Sequence, residues 1–225
     1  MTDMTIEQRL ELVRENIDRA ADGRDVTLVG VAKTKPAELV TRAIRAGLTA
    51  IGENYVQEFR DKSAAGAYTG ANVHIIGHLQ TNKVKYVAGK VALIQSVDSP
   101  ALLEAIARRA AGQNTVQDVL LEVNIGREPA KSGVLPEALE ALLETASGLS
   151  GIRVRGLMAI PPAENTRAYF EPMYHLFVDN NAKKYDNTSM DFLSMGMSDD
   201  YEDAIRQGAN MVRVGSFIFG PRDYT

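Results

Sequence analysis

Apolar and polar positions along this chain follow two periods. Ile6, Leu10, Val13 and Ile17 recur at helical spacing with charges between them, so residues 5–21 predict an amphipathic helix. Beyond it, apolar runs rich in β-branched residues predict strands near 26–32, 49–52, 72–76, 91–95, 117–124, 152–158, 191–195 and 211–214. Helical periodicity returns near 36–46, 54–65, 81–88, 99–111, 136–147, 165–185 and 199–208. Gly47, Gly66, Gly89, Gly112, Gly148 and Gly208 stand where helix C-terminal stops are wanted. Pro36, Pro100 and Pro136 stand where first helical positions are wanted. Strands alternating with helices predict a parallel α/β sheet, and eight such units predict a single (β/α)8 TIM barrel with an extra N-terminal helix. An open doubly wound sheet is the alternative, but no Gly-x-Gly-x-x-Gly follows the first strand. No linker or low-complexity segment interrupts the pattern, so one domain is expected over residues 1–225.

Composition narrows the class. The chain is 45% hydrophobic and 24% charged, and its 25 basic and 29 acidic residues leave a net charge of −4. That is an ordinary globular balance with no signature of a nucleic-acid surface. The longest basic cluster, Lys83-Val84-Lys85, reads as a solvated helix face. There is no cysteine, which excludes disulfides and thiolate chemistry and agrees with a reducing compartment. Residues Met1 to Thr5 show no signal-peptide pattern, and no apolar stretch approaches a membrane span. A cytoplasmic monomer is the expectation.

In a barrel, chemistry gathers at the C-terminal ends of the strands. Strand one runs Thr27-Leu28-Val29-Gly30-Val31-Ala32-Lys33, which places Thr27, Val29, Val31 and Lys33 on one face. A lysine carried into a dry site has a lowered pKa, and its free amine can form a Schiff base with an aldehyde. Otherwise Lys33 sits at the strand end and extends its ammonium to water. Ser198 is placed to cap a helix beginning at Asp199, and Gly215 with Ser216 offers unshielded backbone amides. Together, after strands seven and eight, they form a candidate phosphate cup; separately each is an ordinary cap or turn. Asp199 and Asp200 would repel phosphate, so they are expected to face outward in the first helical turn. Arg213, within a strand buried on both faces, needs either a ligand or an inward acid such as Glu122. His74 and His78 lack an obvious third metal ligand, and no Gly-x-Ser-x-Gly elbow is present.

The strand ends are familiar as a set. They comprise Val-Ala-Lys-Thr-Lys-Pro (31–36), Gly-Glu-Asn-Tyr-Val-Gln-Glu (52–58), His-Ile-Ile-Gly-His-Leu-Gln-Thr-Asn-Lys (74–83), Lys-Ser-Gly (131–133), Arg-Gly-Leu-Met-Ala-Ile-Pro (155–161), Ser-Met-Gly-Met-Ser-Asp-Asp (194–200) and Val-Arg-Val-Gly-Ser-Phe-Ile-Phe-Gly-Pro-Arg (212–222). In these, over nearly its whole length, the chain resembles the pyridoxal phosphate homeostasis protein family (YggS/PROSC type). The resemblance implies a barrel like the N-terminal domain of alanine racemase. It implies that Lys33 forms the internal aldimine with pyridoxal 5′-phosphate and that Met197, Ser198, Gly215 and Ser216 hold the phosphate. It further implies that Arg213 faces the pyridine nitrogen and that Asn54, His74 and Met158 line the ring pocket. Lys35, Tyr55, Lys83 and Lys131 match family motif positions, with roles in transfer or pocket closure. The chain departs from the family at Val73, where tryptophan is common, and at Ile75, where phenylalanine is common.

A carrier is expected more than a catalyst. Arginine beside the ring nitrogen cannot accept its proton, which weakens the electron sink that carbanion chemistry needs. Racemisation also needs an acid/base on each face, and the sequence given ends at Thr225 without a second domain to supply one. The expected function is vitamin B6 homeostasis, with effects on amino-acid pools and delivery to apoenzymes that require the cofactor. The alternatives are a pyridoxal-phosphate-dependent amino-acid racemase and a phosphate-binding barrel enzyme with no aldimine.

Overall fold

Eight parallel strands close on themselves in sequence order, and this closure excludes the open-sheet alternative. The strands are β1 (Thr27–Val31), β2 (Ala50–Glu53), β3 (Asn72–Ile75), β4 (Leu93–Val97), β5 (Gln117–Val123), β6 (Ile152–Ala159), β7 (Thr188–Ser194) and β8 (Met211–Val214). The computed structural model describes residues 4–220, so residues 1–3 and the Pro221-Arg222 end of the last motif lie outside the described residues. The predicted N-terminal helix is α1 (Ile6–Ala21). Thr5 opens it with a capping box shared with Gln8, and Ile6, Leu10, Val13 and Ile17 are all buried. Burying each of these side chains contributes about 1.5–3 kcal/mol before ordering entropy is subtracted.

The remaining helices are α2 (Ala37–Arg45), α3 (Val56–Ala64), α4 (Pro100–Ala111), α5 (Leu139–Ser147), α6 (Arg167–Ala182), α7 (Tyr201–Arg206) and α8 (Ser216–Phe219). They cover the barrel, and one large apolar cluster fills the layer between strands and helices. α1 packs against α7 and α8, where Asn16 Nδ2 donates to the Tyr201 hydroxyl at 2.9 Å. Among the described residues, no helix is long and apolar enough to cross a membrane.

Several boundaries differ from the sequence reading. Residues 81–88 do not form an α-helix; Thr81–Tyr86 is a 3₁₀ segment. Asn82 and the β-branched Val84 and Val87 are poor helix formers, and Gly89 turns the chain at φ +77°. Gly112 and Gly148 keep right-handed conformations, and the left-handed turns fall later, at Asn114 and Gly151. Pro36 caps α2 from outside instead of occupying its first turn. β7 begins at Thr188, three residues before the apolar run, because polar Thr188 pairs with Val154 at the start of the β6–β7 ladder.

The barrel interior has two chemistries. Val29, Ala50, Leu93, Leu120, Met158 and Met211 form a small apolar cluster, joined by Phe192. The buried polar residues include His74, Gln95, Glu122, Ser194 and Arg213.

Candidate functional site

β1 delivers Lys33 through a tight turn. Beyond Val31, the Ala32 N–H donates to Gly52 O at 2.9 Å, which extends the β1–β2 pairing by one residue. The Lys35 N–H then donates to Ala32 O at 3.1 Å, closing a turn with Lys33 and Thr34 at its tip. Thr34 has φ +62°, a left-handed conformation that a β-branched residue rarely adopts. Lys33 is half-buried, not fully enclosed as a strand-face lysine would be.

The loops after β7 and β8 meet Lys33 from the other side of the mouth. The Gly215 N–H donates to Ser198 Oγ at 3.2 Å, tying the two loops together. Gly215 O then accepts from the N–H groups of Ile218 and Phe219 at 3.0 and 2.9 Å, which starts α8 at Ser216. A Cβ on Gly215 would lie 3.2 Å from Val31 Cβ, so a side chain there would crowd β1. Ser198 does not cap a helix, contrary to expectation, because α7 begins at Tyr201 and Asp200 is its N-cap residue. The Asp200 carboxylate accepts from the Met197 N–H at 2.6 Å. Asp199 was expected to face away but forms part of the cavity wall.

These segments enclose a cavity of about 230 Å³ lined by Lys33, Lys35, Met197, Ser198, Asp199, Arg213, Gly215 and Ser216, with Val31 and Gly220. Three basic residues and one acidic residue contribute to its wall, a balance that favours an anion. Of the residues the sequence pointed to, the cavity brings together Lys33, Met197, Ser198, Arg213, Gly215 and Ser216. Asn54, His74 and Met158 are not in its lining. Asn54 follows β2, with its backbone packed beside Gly77; Met158 belongs to the inner apolar cluster; His74 is buried inside the barrel.

Arg213 is held by a buried relay. Its Nη1 donates to Ser194 Oγ at 2.7 Å and its Nη2 to Ala159 O at 2.8 Å. Ser194 Oγ donates onward to Gln95 Oε1 at 2.7 Å, and Gln95 Nε2 lies 2.9 Å from His74 Nδ1. An amide nitrogen is a donor only, so Nδ1 accepts and the His74 proton resides on Nε2. Burial pushes the His74 pKa down to about 4, leaving the ring neutral, and pushes Arg213 down to about 10, leaving it charged. Glu122, the expected inward partner of Arg213, instead accepts from Ser132 Oγ at 3.1 Å and acts on the guanidinium through space. Burial raises the Glu122 pKa. The two histidines diverge, since His78 Nδ1 lies 3.3 Å from an Asp98 carboxylate oxygen.

The sequence reading missed a second cluster behind the Lys33 turn. Lys62 and Glu53 are both buried, and Lys62 Nζ donates to Glu53 Oε1 at 2.8 Å, Glu58 Oε2 at 3.1 Å and Ala32 O at 2.7 Å. The available signal was the Glu58–Lys62 i,i+4 spacing on a helix that directly follows a strand ending in Glu53.

The family model for the alanine racemase N-terminal domain matches residues 8–223. A pyridoxal phosphate homeostasis protein of Aquifex aeolicus (strain VF5) is 44% identical over 220 residues, covering 96% of each chain. Its namesake in Pseudomonas aeruginosa is 41% identical over 229 residues, 98% of this chain and 97% of the relative. The structure of PipY from Synechococcus elongatus PCC7942 with PLP bound superposes with a TM-score of 0.86 at 32% identity, covering 96% of this chain and 100% of PipY. Alanine racemase of Clostridium difficile 630 shares the fold alone, with a TM-score of 0.74 at 15% identity over 93% of this chain and 56% of the racemase.

Proposed function

This chain belongs to the pyridoxal phosphate homeostasis protein family, and we propose that it holds pyridoxal 5′-phosphate reversibly, limiting the free cofactor and releasing it to apoenzymes that require it. The observation that carries this reading is the shared cavity, whose wall Lys33 and Arg213 form together with Ser198, Gly215 and Ser216. The residues present fit the cofactor. The cradle is free of a Cβ at the one position where a side chain would crowd Val31, and the charged lining favours an anion. When bound, the cofactor supplies an aldehyde that condenses reversibly with an amine and releases water.

Lys33 is the amine positioned for that condensation. The Ser198 hydroxyl and the Ser216 amide would donate to the phosphate, with Lys35 adding charge. Ser194 and Ala159 engage part of the Arg213 fork, and its remaining donors are available to the ring nitrogen. A guanidinium that stays charged offers that nitrogen a hydrogen bond and takes no proton from it. His74 is neutral, its Nδ1 is committed to Gln95, and it stands outside the cavity lining. These features favour holding over turnover, in a single-domain, monomeric, cytoplasmic protein.

The test is borohydride reduction of the protein mixed with pyridoxal phosphate, followed by peptide mass spectrometry. The label is expected on Lys33 and lost in Lys33→Ala; label on another residue, or on none, overturns the reading. The second reading, an amino-acid racemase, rests on the shared alanine racemase fold. Rapid α-proton exchange of an amino acid in heavy water, dependent on the loaded protein, would select it over the carrier.

A further inference from the structure

We propose that Lys62 is a positioning residue for Lys33, holding from outside the cavity the strained turn that presents the Lys33 amine. The inference rests on the reading of Lys33 as the cofactor amine. Lys33 is flanked by two peptide groups, and both are tied to one buried ammonium. Ahead of Lys33, Ala32 O accepts from Lys62 Nζ at 2.7 Å. Behind it, the Thr34 N–H donates at 2.7 Å to Glu58 Oε2, the same oxygen that accepts from Lys62 Nζ at 3.1 Å. Glu53 anchors the ammonium at 2.8 Å and is itself fixed by the Tyr68 hydroxyl at 3.0 Å.

Two physical points separate this cluster from ordinary packing. A buried ion pair is rarely more stabilising than apolar residues of the same volume, so its charges serve something that packing would not. The turn it grips also needs holding. Thr34 at φ +62° is in a conformation that persists only where the surroundings over-determine it. Released from Lys62 and Glu58, the turn relaxes toward ordinary φ, and the Lys33 side chain leaves its line of approach to the cavity. The phosphate contacts of the β7 and β8 loops are untouched, and of the phosphate-side residues only Lys35 rides on the turn.

The test compares two probes, pyridoxal phosphate and pyridoxine phosphate, which carries an alcohol in place of the aldehyde. The variants are Lys62→Met with Glu53→Gln, which removes both fully buried charges together, and Glu58→Ala, whose side chain is 27% exposed. Misorientation of a reacting group predicts borohydride-trapped capture at Lys33 slower by about tenfold or more, while pyridoxine phosphate binds within about twofold of wild type. Adding Thr34→Gly, which makes the turn intrinsically favourable, is expected to recover capture. Capture at the wild-type rate, or equal weakening for both probes, overturns the proposal. Should the double variant not fold, Glu58→Ala decides alone. If the wild type itself captures nothing at Lys33, the carrier reading falls and this inference falls with it.

Discussion

Val29 on β1 and Arg213 on β8 are register partners across the strand pair that closes the barrel. That seam brings together residues from opposite ends of the sequence. Continuing up β1 from Val29 leads to Lys33, and continuing up β8 from Arg213 leads to Gly215 and Ser216. The amine, the guanidinium and the anion cradle therefore share one cavity because of a single parallel register.

Gly215→Ala tests the cradle. The backbone φ of −115° is not left-handed, and the new Cβ would lie 3.2 Å from Val31 Cβ and 3.4 Å from Val31 O. Affinity for pyridoxine phosphate, read by titration, is expected to fall about tenfold, equivalent to about 1.4 kcal/mol. Unchanged affinity would remove Gly215 from the phosphate site.

Ser194→Ala tests the relay. Ser194 is fully buried and both accepts from Arg213 and donates to Gln95. Its loss leaves two buried polar groups short of a partner and is expected to destabilise the fold by about 1–3 kcal/mol. Urea unfolding reads this directly; a midpoint equal to wild type would show that water or rearrangement replaces the hydroxyl.

His74 predicts an acid limb of stability. Its folded pKa of about 4 lies below the ordinary value of 6.5, so the unfolded chain takes up the proton first. The stability linked to this group is present above about pH 6.5 and is lost as pH falls toward 4, by about 3 kcal/mol in all. His74→Asn keeps an acceptor for Gln95 and removes the titration, so its stability should fall less steeply over that range. Parallel slopes would show that His74 is not the group responsible.

Glu122 predicts the opposite slope. Burial raises its pKa, so the folded state keeps its proton to higher pH than the unfolded chain does. Stability linked to Glu122 therefore falls as pH rises beyond the ordinary carboxylate range. Glu122→Gln preserves the acceptor for Ser132 and should be more stable than wild type at neutral pH, with the advantage vanishing in acid. An advantage that persists at low pH would point to packing instead of ionisation.

Much of this was legible in the chain. Alternation of apolar runs with helical periods was enough for eight units, and the α1 stripe Ile6, Leu10, Val13 and Ile17 is buried as its spacing required. Lys33, Arg213, Ser198 and Gly215 stood out because each is chemically unusual at the end of an apolar strand. The helix expected at 81–88 and the Ser198 cap failed because local pattern cannot weigh one short-range hydrogen-bonding option against another. Ser198 serves Gly215 in a neighbouring loop, a partner that exists only once β7 and β8 lie side by side.

Periodicity and punctuation are local properties, and they sufficed for the order of elements, the barrel class and the residue types at the strand ends. Tertiary structure alone decided which of those ends share a cavity and which polar groups satisfy one another in the interior. It also decided that the deeply buried ammonium belongs to Lys62 and not to Lys33. Burial and hydrogen-bond pairing depend on contacts between distant segments, and those contacts come into being only when the barrel closes.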